Sequence, residues 1–186
     1  MKLTMIPIGL LGLFLASAFA DYNININDDG NSAGSGQQTV SVNNEHNVAN
    51  IDNNNGWDSW NTLWDYNTGF AATRLFVKKS CIVHKMSKDA MPSIQALDAL
   101  VKEKKLQGKG PRKPSPKGLM YSVNPNQVDD LNRFGENIAG MCRGIPTYVA
   151  DEIQTGAYPP FYSEKCLSAN ILWILKTSFC GEIVEN

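Results

Sequence analysis
Histidine is scarce in this chain: only His46 and His84 occur in 186 residues. That leaves little for general acid–base catalysis or for imidazole ligation of a metal. No apolar run reaches the roughly 18 residues that mark a membrane-spanning helix. Neither sign of charge prevails, with 17 Lys and Arg against 18 Asp and Glu and a formal net charge of −1. Such a balance argues against a general nucleic-acid binder. Asparagine is plentiful, yet no Asn-x-Ser/Thr sequon occurs, so N-glycosylation is not expected. Four cysteines are too few for a disulfide-dense mini-scaffold, but the even number allows two bridges in three connectivities. Also missing are a Ser-His-Asp order, a glycine-framed carboxylate pair and a phosphate-binding loop. The expectation is a protein that is not an enzyme and has neither metal nor cofactor.

What is present begins with an address. Lys2 is the one charge in the first twenty residues, Ile6–Leu15 form an apolar core, and Ala18-Phe19-Ala20 fits a small-residue cleavage site. Residues 1–20 are therefore expected to be a secretory signal, with Asp21 opening the mature chain. In that oxidising compartment the four cysteines should be paired.

The near-zero net charge conceals three blocks. Residues 21–73 carry seven acids and no Lys or Arg, residues 74–117 have a local charge of +9, and residues 118–186 one of −4. Residues 21–53 are rich in asparagine. Their alternating patches, such as Thr39-Val40-Ser41-Val42 and Asn47-Val48-Ala49-Asn50-Ile51, are long enough for strands. Being mostly polar, they are expected to form a loosely held lead-in with edge-strand tendencies.

From Trp57 the character changes. Trp57, Trp60, Trp64 and Tyr66 crowd large aromatics into ten residues, for which a core role is expected. Phe70–Phe76 and Cys81–Met86 are apolar, β-branched runs that read as consecutive antiparallel strands. Pro92-Ser93 opens a helix with Ile94, Leu97, Leu100 and Val101 on one face and Gly108 as its stop. A second helix is expected from Asn126 to Arg143, its apolar face made by Val128, Leu131, Phe134, Ile138 and Met141. Between the two, three Gly and three Pro among basic residues make 107–118 an exposed loop. A strand is expected over Ile145–Glu152. Near the end, Ile171-Leu172-Trp173-Ile174-Leu175 is uncharged and β-prone, so it must be a buried strand or a guarded hairpin.

Several of these residues resemble a known pattern. Asp65-Tyr66, Cys81 sixteen residues after that Asp, the Pro-Ser-opened helix and Cys142 before a short strand together resemble a BRICHOS domain. Tyr22–Asn25 and the runs Gly34–Gln38, Val42–Asn50, Gly56–Trp60 and Leu97–Gly110 resemble the gastrokines, secreted BRICHOS proteins of the gastric mucosa. The resemblance implies an α+β fold, with an antiparallel five-stranded sheet flanked by two helices and Cys81–Cys142 as the domain bridge. With Cys166–Cys180 that pairing closes a long domain loop and a short C-terminal β segment without crossing. The expected organisation is signal 1–20, lead-in 21–53, BRICHOS domain 54–152 and C-terminal β-prone segment 153–186.

The resemblance also implies a product of gastric surface mucous cells, passing through the Golgi and secretory granules. It would be mitogenic and help maintain epithelial integrity; the alternative is a chaperone for β-prone peptides. Asp65 is expected either as a desolvated, pH-sensitive acid or as a surface acid paired with a nearby cation. His84 is expected as a strand histidine rather than a ligand. Lys102, Lys104, Lys105, Lys109, Arg112, Lys113 and Lys117 form the candidate interaction surface. They read as solvated surface, as a recognition patch for an epithelial receptor or an anionic mucosal surface, or, at Lys104-Lys105, as a processing site.

Overall fold
The computed structural model describes residues 20–26, 36–107, 117–153, 166–172 and 174–181. The proposed signal segment, apart from Ala20, lies outside the described residues, as do Lys109, Arg112, Lys113 and Trp173. Six strands come first: β1 (Ala20–Ile26), β2 (Gly36–Asn43), β3 (Val48–Asn54), β4 (Trp60–Asp65), β5 (Phe70–Leu75) and β6 (Ser80–Lys85). Each pairs antiparallel with the next. Helix α1 (Ile94–Gln107) leads to β7 (Lys117–Gln127), then α2 (Glu136–Cys142), β8 (Thr147–Glu152) and the hairpin β9 (Cys166–Ile171) and β10 (Leu175–Cys180).

All ten strands share one sheet, in the order β1-β2-β3-β4-β5-β6-β8-β7-β10-β9. The fold is α+β with two helices among the described residues, but the expected five antiparallel strands are only its centre. β4, β5, β6, β8 and β7 are extended by β1–β3 on one side and by β10 and β9 on the other. Two pairs, β6–β8 and β7–β10, are parallel. A helical crossover separates the strands in the first of these, as parallel pairing requires.

The reason the sheet is wider lies in the alternation of the lead-in. Val40, Val42, Ala49 and Ile51 are fully buried. They join Trp60, Trp64, Ile82, Tyr121, Leu175 and Phe179 in one cluster that continues to Ile171 and Leu172. The lead-in, expected to be loosely held, is thus a wing of the core where described. Each large apolar side chain there contributes about 1.5–3 kcal/mol through burial. Helix α1 lies over this face, with Ile94, Leu97 and Val101 buried in the cluster and Leu100 half-buried. The opposite face holds a smaller cluster of Ala72, Cys81, Val83, Phe134, Ile138 and Cys142.

The second helix is shorter than expected. The chain stays extended through Gln127, because Val128 N–H donates to Thr147 O (2.8 Å) and ties this segment to β8. A 3-10 turn over Asn132–Phe134 and Gly135 at φ 96° then re-aim the chain into a seven-residue helix. Phe134 and Ile138 are buried, and Val128, Leu131 and Met141 pack partly buried on the same cluster. The apolar face is as read, but a strand end, a turn and a short helix supply it in succession.

Candidate functional site
Asp65 closes β4 and is buried. Its Oδ1 accepts the N–H groups of Asn67 (3.0 Å) and Thr68 (3.1 Å), and its Oδ2 accepts Asn137 Nδ2–H (3.0 Å). The first two bonds build the Asx-type turn between β4 and β5, closed by Gly69 N–H to Asp65 O (2.9 Å). The third reaches across to α2. Every donor is neutral, so the expected alternative of a surface acid paired with a cation is corrected. The approach is close: a Cβ at Gly135 would lie 2.6 Å from Thr68 Cγ2 and 3.6 Å from Asp65 Oδ2. Cys142, at the far end of α2, is bridged to Cys81 of β6. One carboxylate and one disulfide therefore hold the two ends of a very short helix against the sheet.

His84 of β6 points to the other face and is fully buried. Its Nδ1–H donates to Lys85 O (3.0 Å), which assigns the proton to Nδ1 because a carbonyl only accepts. The ring lies 4.2 Å from that of Tyr121 on β7 and 5.7 Å from that of Phe179 on β10. Burial pushes its pKa down to about 4, against a smaller opposing effect of the Lys85 carbonyl. Tyr121, also desolvated and facing the charge of Glu152, has its hydroxyl pKa pushed up. Its OH has no hydrogen-bond partner among the described residues. Among the described residues, no three His, Cys, Asp or Glu side chains are grouped to hold a metal.

The C-terminal hairpin is guarded twice. β10 pairs with β7, and Cys166 is bridged to Cys180 across the β9–β10 ladder. The β-prone segment straddles the hairpin turn, with Ile171, Leu172 and Leu175 buried and Leu172 at φ 49°. Gln38 of β2 meets this turn from the far side of the sheet. Its Nε2 donates to Asn170 O (2.6 Å) and its Oε1 accepts Leu172 N–H (3.0 Å). The side-chain amide so mimics a strand's backbone and clasps the two wings of the curled sheet. Sequence reading missed Gln38, Asn137 and Gly135; only the alternation that places Gln38 on the face of Val40 and Val42 hinted at the first.

Of the basic stretch, the side chains of Lys102 and Lys117 fall among those described. Lys102 Nζ pairs with Asp98 Oδ2 at 2.6 Å, one turn away on α1. Lys104 and Lys105 lie in the last turns of the same helix. Lys117 opens β7; its N–H donates to Ile174 O (3.0 Å) and its Nζ to Asp89 O (2.8 Å). Trp57, expected in the core, is instead 86% exposed, whereas Trp60 and Trp64 are buried. Among the described residues, no helix is long and apolar enough to cross a membrane.

Comparison with known proteins agrees with the geometry of the centre. The BRICHOS domain family matches residues 56–149, the segment that holds β4 to β7, both helices, the Cys81–Cys142 bridge and the start of β8. Gastrokine-1 of Homo sapiens is 72% identical over 186 residues, covering all of both chains. Gastrokine-1 of Sus scrofa is 74% identical with the same coverage, and that of Mus musculus is 69% identical over all of this chain and 99% of its own. No solved structure matches the chain significantly. With similarity running end to end and the domain's bridge and helices in place, this chain belongs to the gastrokines, within the wider BRICHOS family.

Proposed function
We propose that this chain is a mitogenic protein of the gastric epithelium that helps maintain the integrity of the mucosal lining. Gastrokine membership and the BRICHOS domain support a secreted gastric protein. The end-to-end similarity to gastrokine-1 is the observation that carries the finer reading. Residues 1–20 are its signal segment, with Golgi and secretory granules on the route out, and the activity is binding rather than catalysis. The partner is an epithelial receptor or an anionic mucosal surface, attracted by the basic stretch 102–117. Lys104, Lys105 and Lys109 carry the recognition, and Asp65 serves as a structural brace.

The test adds the purified protein to growth-arrested gastric epithelial cells and measures DNA synthesis. Wild type should stimulate it, and a Lys104→Glu/Lys105→Glu/Lys109→Glu variant should return it to the buffer level. A variant as active as wild type would move recognition away from the basic stretch; an inactive wild type would remove the mitogenic reading. The chaperone alternative gains less from the geometry. The free edge of β7 is already taken by β10, and Gln38 bonds to the turn beside β9.

A further inference from the structure
Trp57 sits where two turns meet at one end of the sheet. The 3-10 turn Gly56–Asp58 joins β3 to β4, and residues 76–79 join β5 to β6. Both are pinned. Phe76 N–H donates to Ser59 O (3.4 Å) and Lys79 N–H to Phe76 O (3.2 Å). Ser59 Oγ donates to Gly56 O (2.7 Å) and accepts Asn55 N–H (3.0 Å). On this fixed backbone Trp57 is 86% exposed, Val77 50% and Phe76 44%. With Gly56 and Lys79 they line one shallow cleft. These are the exposed large hydrophobic residues among the described ones, and they are adjacent rather than scattered.

The sequence of the two turns is mostly basic. Arg74 holds its guanidinium 5.6 Å from the Phe76 ring centre while its Nη1 donates to Met141 O (3.5 Å), and half-buried Lys78 and exposed Lys79 follow Val77. Asp58 is the single acid in residues 55–59 and 74–79. A cationic collar around protruding apolar side chains is unsuited to pairing with a second copy. A two-fold contact through this tip would set Arg74 and Lys79 against their own copies. A turn tip also inserts into a surface better than it grips a peptide, and Trp is the side chain that sits best at a lipid–water boundary.

We propose that this tip docks the protein peripherally on an anionic lipid surface. Trp57, Phe76 and Val77 enter the boundary between headgroups and acyl chains, while the exposed Lys79 beside them faces the lipid phosphates. This surface is separate from the basic stretch 102–117, so it stands or falls independently of the mitogenic reading.

The full chain tests this by co-sedimentation with phosphatidylcholine vesicles, with and without phosphatidylserine, at low and physiological salt. Wild type should sediment with the serine lipid, less so as salt rises, and brominated acyl chains should quench its tryptophan emission. Trp57→Ser should weaken partition roughly tenfold or more and remove most of that quenching. Lys79→Glu should weaken it by a similar factor. Trp57 is exposed, so Trp57→Ser should melt like wild type. Three results would overturn the proposal: no binding of wild type to the anionic vesicles, unchanged binding of Trp57→Ser, or a concentration-dependent dimer that Trp57→Ser dissolves in place of vesicle binding.

Discussion
His84 is the residue whose protonation bears most directly on stability. Its folded pKa of about 4 lies below the ordinary 6.5, because a buried ring resists charging. As pH falls, the unfolded chain therefore binds a proton first, and stability is lost between pH of about 6.5 and about 4, then levels off for this group. The difference corresponds to about 3 kcal/mol at most. Denaturant titrations at pH 7 and 4.5 should show the loss, and His84→Phe, which keeps a ring beside Tyr121 and Phe179, should show clearly less of it. Asp65 acts differently, as an acceptor. Asp65→Ala leaves two turn N–H groups and the Asn137 amide without their acceptor and should cost about 1–3 kcal/mol. Asp65→Asn retains one acceptor but turns an NH2 group toward a donor, and should fall between that variant and wild type in thermal melts.

At the scale of elements, the clasp between β2 and the β9–β10 turn is the contact that sequence order least suggests. Gln38 lies 132 residues from Asn170 and 134 from Leu172. Gln38→Ala should lower stability by about 1–3 kcal/mol and speed hydrogen exchange at the Leu172 amide, while amides in the β4–β5 ladder stay protected. Exchange at Leu172 unchanged from wild type would mean that another group holds this turn. α1 was legible beforehand because Ile94, Leu97 and Val101 recur at helical spacing and a Pro-Ser pair starts them. The segment from Val128 to Met141 was legible only as a face. Its three- and four-residue spacing is equally served by a strand end, a 3-10 turn and one short helix. Gly135, whose positive φ and close approach to Thr68 exclude a side chain, is where the continuous helix is broken.

The whole molecule divides near its middle. β1 to β6 and α1 precede the basic stretch, and β7 to β10 with α2 follow it. The halves meet along the β6–β8 ladder and the Cys81–Cys142 bridge, with Gln38 as a further tie. Trypsin should cut first between Lys102 and Lys117, the stretch whose glycines and prolines read as an exposed loop. The nicked chain should run as one band on a non-reducing denaturing gel and as two after reduction. Early cuts at Arg133 or Arg143 would show that the turn and helix around α2 are looser than their packing indicates.

Local pattern determined which side chains share a face: Val40 with Val42, Ala49 with Ile51, Ile94 with Leu97 and Val101, Phe134 with Ile138. That information is periodic, and a two- or 3.6-residue period needs no knowledge of the neighbour. Tertiary structure alone decided that β8 lies between β6 and β7, that Asn126 lies within a strand instead of starting a helix, and that Asp65 bonds to Asn137. It also decided that Trp57 faces water while Trp60 and Trp64 do not. In each case the outcome depends on which distant backbone offers a donor, an acceptor or a covering surface, and that partner is set by packing rather than by the residues on either side.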